Sequence, residues 1–281
     1  MTLRGLKRLS PETARKFPVT IDMLRWIRDG LSPFDHRGRV DRAKEPGTGS
    51  HEGDTVLWAS VTDAFFFMMR AGEYAQHDGQ PPDLSKILLG EDVELGGGEE
   101  GEPEWMTVRI RGSKTDQYNL GCVRSHSRSK DPTICPILAT AAVQHLFPQR
   151  KRGGSESHLP FFRFSSGACV LRSLIQAWLA RAALGVGLPG DRFGSHSLRI
   201  GGATAMYAIC QDVELVKRFG RWISFSFSLY LWERKGATAD LASQMVQTSG
   251  TLQLPHGLGA EVAAKQQEKR RVRFLLPGGT E

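Results

Sequence analysis

His196 and Arg199 stand three residues apart in His196-Ser-Leu-Arg199, just ahead of Gly201-Gly202. At a helix start that spacing points both side chains the same way. Arginine offers a planar, permanently charged fork that fits a phosphate. Histidine both donates and accepts near neutral pH. Together they suit proton transfer at a phosphate, and the two glycines let another backbone or a DNA strand come close. Ser195 and Ser197 flank His196, but adjacent side chains point apart and no Gly-x-Ser-x-Gly elbow exists, which sets a serine hydrolase aside.

Three further places carry chemistry. Arg70 and Glu73 are three apart and can share a helix face; taken alone they form an ordinary ion pair worth a few tenths of a kcal/mol. Lys114 lies in Gly112-Ser-Lys-Thr-Asp116, a predicted hairpin tip. There it is either solvated or long enough to reach into a cleft and deliver a proton. Gly220-Arg221-Trp222 is followed eight residues after the tryptophan by Tyr230. The stretch Phe225 to Trp232 reads by itself as a core helix. A phenol becomes a nucleophile only beside cations and a base.

These residues need a scaffold, and the hydrophobic period supplies one. Thr20 can cap a helix from Ile21 to about Arg28, with Met23, Leu24 and Ile27 on one face. Asp54 is predicted to cap a long helix reaching Tyr74, with Leu57, Val61, Ala64, Phe65, Met68 and Met69 as its apolar stripe. The period then changes to two. Lys86–Leu89, Trp105–Arg111 and Tyr118–Val123 read as three strands, with an acidic, Gly-rich insert at Gly90–Glu104 between the first two. Helices return at Pro136–Phe147, Cys169–Leu184, Ser197–Cys210, Val213–Phe219, Phe225–Trp232 and Ala237–Val246, and residues 148–158 read as a basic Gly/Ser loop. The fold class is mainly α with a small three-stranded antiparallel sheet.

Composition narrows the classes. Of 281 residues, 40% are hydrophobic and 24% charged, a globular balance that excludes wholesale disorder. No run approaches the roughly 18 to 20 apolar residues of a membrane span, and Met1–Arg15 has no apolar core for a secretory signal. The four cysteines, Cys122, Cys135, Cys169 and Cys210, are far apart, with no paired spacing that would hold zinc. They read as reduced, mostly buried thiols of an intracellular protein. Lys and Arg exceed Asp and Glu by 37 to 30, a net charge of +7 that favours a polyanionic partner, nucleic acid before membrane.

The order Arg…Lys…His-x-x-Arg…Gly-Arg-Trp…Tyr resembles the signature of the tyrosine recombinases, the phage-integrase-like superfamily. The resemblance runs from about Pro18 to Val246. It is tightest in His196-Ser-Leu-Arg-Ile-Gly-Gly-Ala-Thr-Ala205 and Lys217-Arg-Phe-Gly-Arg-Trp222. The Arg-Trp form and the Ser-Lys-Thr-Asp turn look like the branch found in eukaryotic mobile elements of the crypton or DIRS type. The resemblance implies the DNA breaking-rejoining catalytic-domain fold over residues 19–248. Residues 1–18 are then an N-terminal remnant or linker, and residues 249–281 a flexible basic tail. Relatives carry a separate helical domain ahead of the catalytic one, so the chain is either part of a longer protein or a stand-alone catalytic domain.

The same resemblance implies roles. Tyr230 would attack the scissile phosphate to form a 3′-phosphotyrosine. Arg70 and Arg199 would clamp the non-bridging oxygens, Lys114 would protonate the leaving 5′-oxygen, His196 would manage the tyrosine proton, and Trp222 would donate its indole N–H where many relatives use histidine. Glu73 would orient its neighbours, and Arg150, Lys151, Arg152 and Arg221 would contact DNA phosphates. No metal or nucleotide cofactor is implied. The expected partner is double-stranded DNA, held by a homo-oligomer, a tetramer, with no membrane, inside the cell and in the nucleus if the source is eukaryotic. Two alternatives stay open at this point: a catalytically silent, domesticated DNA-binding domain, and DNA relaxation of the type IB topoisomerase kind.

Overall fold

The computed structural model describes residues 15–31, 45–98, 102–112 and 121–224, together with Ser228 and Leu231. Seven helices of four or more residues occur among them: α1 (Ile21–Gly30), α2 (His51–Phe66), α3 (Ala71–Tyr74), α4 (Pro136–Leu146), α5 (Arg172–Gly185), α6 (Ser195–Cys210) and α7 (Val213–Gly220). One antiparallel sheet, β1 (Val93–Gly96), β2 (Trp105–Ile110) and β3 (Cys122–Ser127), stands between α3 and α4 in the chain. None of the described helices is long and apolar enough to cross a membrane.

α1 starts where the sequence places it: the Thr20 hydroxyl accepts from the Met23 amide at 3.3 Å, and Met23, Leu24 and Ile27 are buried. α2 differs from expectation. Its cap is Ser50, whose hydroxyl accepts from the Gly53 amide at 3.0 Å. Asp54 sits inside the first turn, and its carboxylate takes the Gly47 and Thr48 amides at 2.8 and 2.7 Å, tying the incoming loop to the helix. α2 is buried on every side from Gly53 to Phe65, so it is the central helix of the core rather than an amphipathic one. It packs on α4 and α6. It also stops at Phe66, because Met68 turns into the left-handed region (φ 48°). Arg70 therefore begins a new short helix instead of ending a long one.

The sheet is antiparallel as expected, but its strands are shifted. Lys86–Leu89 is no strand. Asp83 accepts from the Ser85 amide and hydroxyl, and the Ile87 amide reaches the Asp83 carbonyl, which bends the chain. Ile87, Leu88 and Leu89 are then buried as an irregular segment, an unalternating apolar run whose period could not distinguish it from a strand. The first strand lies inside the stretch read as an insert, with Val93 opposite Val108. The third runs Cys122–Ser127, opposite Ile110 to Trp105. Its inward residues are Cys122, Arg124 and His126, while Val123 is 55% exposed, so the apolar alternation that marks a half-buried strand is absent.

The remaining helices lie within three residues of their expected bounds, α5 starting latest, at Arg172. Ser195 rather than Ser197 opens α6, which places His196 in its first turn. The expected helices at Phe225–Trp232 and Ala237–Val246 lie outside the described residues apart from Ser228 and Leu231, as does the tail at 249–281.

Two glycines and one acid set the helix packing. A β-carbon on Gly201 would fall 2.3 Å from the Val19 carbonyl oxygen, and one on Gly202 would fall 2.0 Å from that of Phe65. The close approach anticipated at this pair is therefore made by the protein's own backbone, which seats α6 against the end of α2. Asp63 of α2 is fully buried, its carboxyl bonded to the Thr140 hydroxyl of α4 at 2.8 Å. Burial pushes its pKa well above the usual carboxylate range, outweighing the Thr140 bond. Stability from this group is full below the unfolded carboxyl's pKa of about 4 and declines as pH rises through the folded value. Urea unfolding at pH 5 and pH 8 should show the wild type losing stability relative to Asp63→Asn between the two, about 1.4 kcal/mol for each unit of raised pKa the window covers. An identical pH response in wild type and variant would show that the carboxyl is ionised in the native core.

Candidate active site

The negative end of α7 is the centre of the site. A helix leaves its last carbonyls without intrahelical partners and carries partial negative charge there. Asp212 caps the start of α7 by accepting from the Leu215 amide at 2.9 Å, and Arg221 (φ 64°) closes its far end in the left-handed conformation.

Arg199 reaches this end from α6. It is 2% exposed, and its two terminal nitrogens donate to the carbonyls of Met68 and Gly220. Its guanidinium carbon lies 4.1 Å from the centre of the Trp222 ring, a cation–π stack. Arg70 reaches the same end from the start of α3, donating Nη2 to the Arg221 carbonyl at 3.2 Å. Burial and the neighbouring Arg221 charge lower the pKa of Arg70, opposed by Glu73.

Glu73 is buried and divides its oxygens unequally. Oε1 accepts from Arg221 Nη1 at 2.7 Å and from Arg70 Nη1 at only 3.4 Å; Oε2 accepts from Arg221 Nη2 at 2.7 Å and from the Arg70 amide at 2.8 Å. The bidentate partner of Glu73 is thus Arg221, not Arg70. Tyr74, next in the chain and fully buried, donates its hydroxyl to the Ser195 carbonyl at 2.8 Å and so fixes the first turn of α6, where His196 sits.

His196 is mostly buried beside both cations. Burial first, then the charges of Arg199 and Arg70, lower its pKa and favour the neutral ring at pH 7. The neutral form contributes stability in full above the unfolded pKa of about 6.5, and that contribution is lost as pH falls from there through the folded value. In an NMR titration the His196 ring protons should move with a midpoint below that of a free histidine. Arg70→Gln should shift the midpoint upward, because one of the two repelling charges is gone. A midpoint indifferent to Arg70 would separate the two side chains.

The structure therefore brings together Arg70, Glu73, His196, Arg199, Arg221 and Trp222. Lys114 and Tyr230 lie outside the described residues. Two of the expected phosphate contacts are turned inward. Arg150 is 2% exposed, lies 3.7 Å from the Phe147 ring centre, and donates to the Arg163 and Phe164 carbonyls at 2.5 and 3.2 Å. Burial and the nearby Arg163 charge lower its pKa to about 10, and it ties a loop to the core with no face left for a phosphate. Arg221 is spent on Glu73, its side chain only 10% exposed. Lys151 and Arg152 are exposed, the latter paired with Glu94 at 2.7 Å.

One contributor was not foreseen. Arg124 of β3 donates Nη2 to the Arg218 carbonyl at 2.6 Å and Nε to the Phe219 carbonyl at 3.0 Å, joining the sheet to the same end of α7. Its sign in the sequence was an arginine on the inward face of a strand, visible only once the register is known.

The sequence matches no family model and no curated protein. Among solved structures, the chain is similar to the XerH site-specific recombinase bound to palindromic difH substrate in a post-cleavage complex. The TM-score is 0.53 at 16% identity, over 82% of this chain and 54% of XerH. XerA recombinase gives 0.49 at 14% identity over 84% and 65%, and a lambda integrase dimer bound to a COC′ core site gives 0.48 at 12% over 82% and 53%. The fold is that of the tyrosine recombinase catalytic domain. The chain spans about half the length of XerH.

Proposed function

We propose that this chain cleaves and rejoins DNA strands through a 3′-phosphotyrosine intermediate, in site-specific recombination or integration of a mobile element. The observation that carries the reading is the convergence of Arg70, His196, Arg199 and Trp222 on one helix end within a recombinase fold. Those four side chains come from the start of α3, the first two turns of α6 and the residues just past α7.

In this reading the Tyr230 oxygen attacks the scissile phosphorus as the bond to the 5′-oxygen breaks. Neutral His196 accepts the phenolic proton, and Lys114 gives a proton to the departing 5′-oxygen. Arg70, a quarter exposed, meets the non-bridging oxygens, and Arg199 offsets their charge through space from its buried seat. Rejoining is the same exchange run backward, and the phosphodiester's energy is kept in the phosphotyrosine bond. Lys151 and Arg152 contact backbone phosphates, which position a duplex without reading its sequence. Double-stranded DNA is the substrate, a tetramer the working assembly, residues 19–248 the catalytic domain, and a eukaryotic element of the crypton or DIRS type the source, with action in the nucleus.

The test is direct. Supercoiled plasmid incubated with the protein and run on a denaturing gel should yield DNA covalently attached to the chain. Binding without any adduct would overturn the enzymatic reading in favour of a silent DNA-binding domain. Exchange of strands between two duplexes is expected; relaxation of one duplex with no exchange would place the activity with the type IB topoisomerases.

A further inference from the structure

Four successive carbonyls at the end of α7 are taken by three arginines. Arg124 holds those of Arg218 and Phe219, Arg199 that of Gly220, and Arg70 that of Arg221. For the last two carbonyls to face different partners, the chain must turn between them, and it does so at Arg221 with φ 64°. A residue with a β-carbon adopts this conformation at a cost, so something must hold it there. Gly220 leaves the room that the Trp222 ring takes, since a β-carbon on it would fall 1.6 Å from that ring.

The Arg221 side chain provides the hold. Its terminal nitrogens meet both Glu73 oxygens at 2.7 Å, and Nη2 also donates to the Met68 carbonyl at 3.2 Å. The Met68 carbonyl is also a partner of Arg199, and Met68 itself stands at φ 48°. Two left-handed residues 153 positions apart are thus locked to each other through one guanidinium.

We propose that Arg221 is a positioning residue for strand cleavage. Held by Glu73 and Met68, it fixes the turn that aims the Gly220 and Arg221 carbonyls at Arg199 and Arg70 and lays the Trp222 ring over Arg199. It acts through those groups and does not touch the phosphate. This inference rests on the function proposed above.

The experiment compares Arg221→Lys and Arg221→Ala with the wild type. Lysine keeps the charge but cannot present two parallel N–H groups to a carboxylate. Both variants should form the covalent plasmid adduct about 100-fold more slowly at saturating DNA, the loss typical of a small misplacement, with affinity for the plasmid within about threefold of wild type. A charge-only role would instead let Arg221→Lys react at the wild-type rate, which would overturn the proposal. A second readout needs no DNA. The Trp222 contribution to fluorescence, taken by difference against Trp222→Phe in each background, should become more accessible to acrylamide in both variants. Unchanged quenching would also overturn the proposal. If the wild type makes no adduct, the functional reading fails, and the quenching measurement still decides the place of Arg221. Should Arg221→Ala not fold, Arg221→Lys carries both readouts.

Discussion

Tyr230→Phe is expected to abolish the covalent protein–DNA adduct while leaving affinity for DNA within about twofold. The substitution removes one oxygen, the nucleophile, and leaves the cations that bind the phosphate backbone in place. Since the enzyme–DNA bond is made to that oxygen, the effect is a loss to background rather than a slowing. Trapping on supercoiled plasmid, with a filter-binding assay beside it, measures both quantities. An adduct that persists in the Phe variant would show that another residue attacks. Tyr207 is the nearest rival in sequence on α6, but it lies eight residues beyond Arg199, about 12 Å further along the helix axis. A phosphate held beside Arg199 is out of its reach.

Arg199→Ala should fail twice, in folding and in chemistry. The guanidinium fills a buried site between the Met68 and Gly220 carbonyls and the Trp222 ring. Its removal strands the Gly220 carbonyl, worth about 1 to 3 kcal/mol when left unpaired, and leaves the Met68 carbonyl to Arg221 alone. Urea unfolding should register a loss on the order of 3 kcal/mol. Adduct formation should fall by about 100- to 1000-fold, because a preorganised charge that opposes the transition-state oxyanion is deleted. Arg199→Lys should recover part of the stability, through one carbonyl, and little of the rate, because an ammonium cannot fork between two acceptors or stack on the indole. Full stability in Arg199→Ala would mean that the side chain is not seated where it is described.

Which parts of this were legible in the sequence follows from the range of the forces involved. His196 and Arg199 were readable as a pair because helix geometry alone fixes side chains three apart. α1, α4, α6 and α7 were readable because caps and apolar stripes are local. Glu73 and Arg221 were each noticed, but not their pairing, which spans 148 residues and leaves no mark in either segment. Arg150 stood in a basic loop and looked solvated. Nothing nearby announced that the carbonyls of Phe161, Arg163 and Phe164 would converge to bury it. The strands slipped for a chemical reason: β3 turns Arg124 and His126 inward and Val123 outward, against the usual polarity, because those two polar side chains have backbone carbonyls waiting at Phe219 and Phe66. Burial on all sides hid the true length of α2, and the bend at Met68 has no glycine to signal it.

The gathering of three arginines on one helix end has a consequence in time. Arg70 is made 151 residues before Arg221, whose carbonyl it holds. At synthesis speeds of about 5 to 20 residues per second, that is a gap of roughly 8 to 30 s. Throughout it the growing chain carries Arg70, and later Arg124 and Arg199, with no α7 terminus to collect them. Domains fold largely as units as they emerge, and here the piece that draws the scattered cations into one place is the last of the described elements to be translated. A nascent chain therefore holds every guanidinium of the cluster before it holds the cluster, and the site comes into being only when the end of α7 closes.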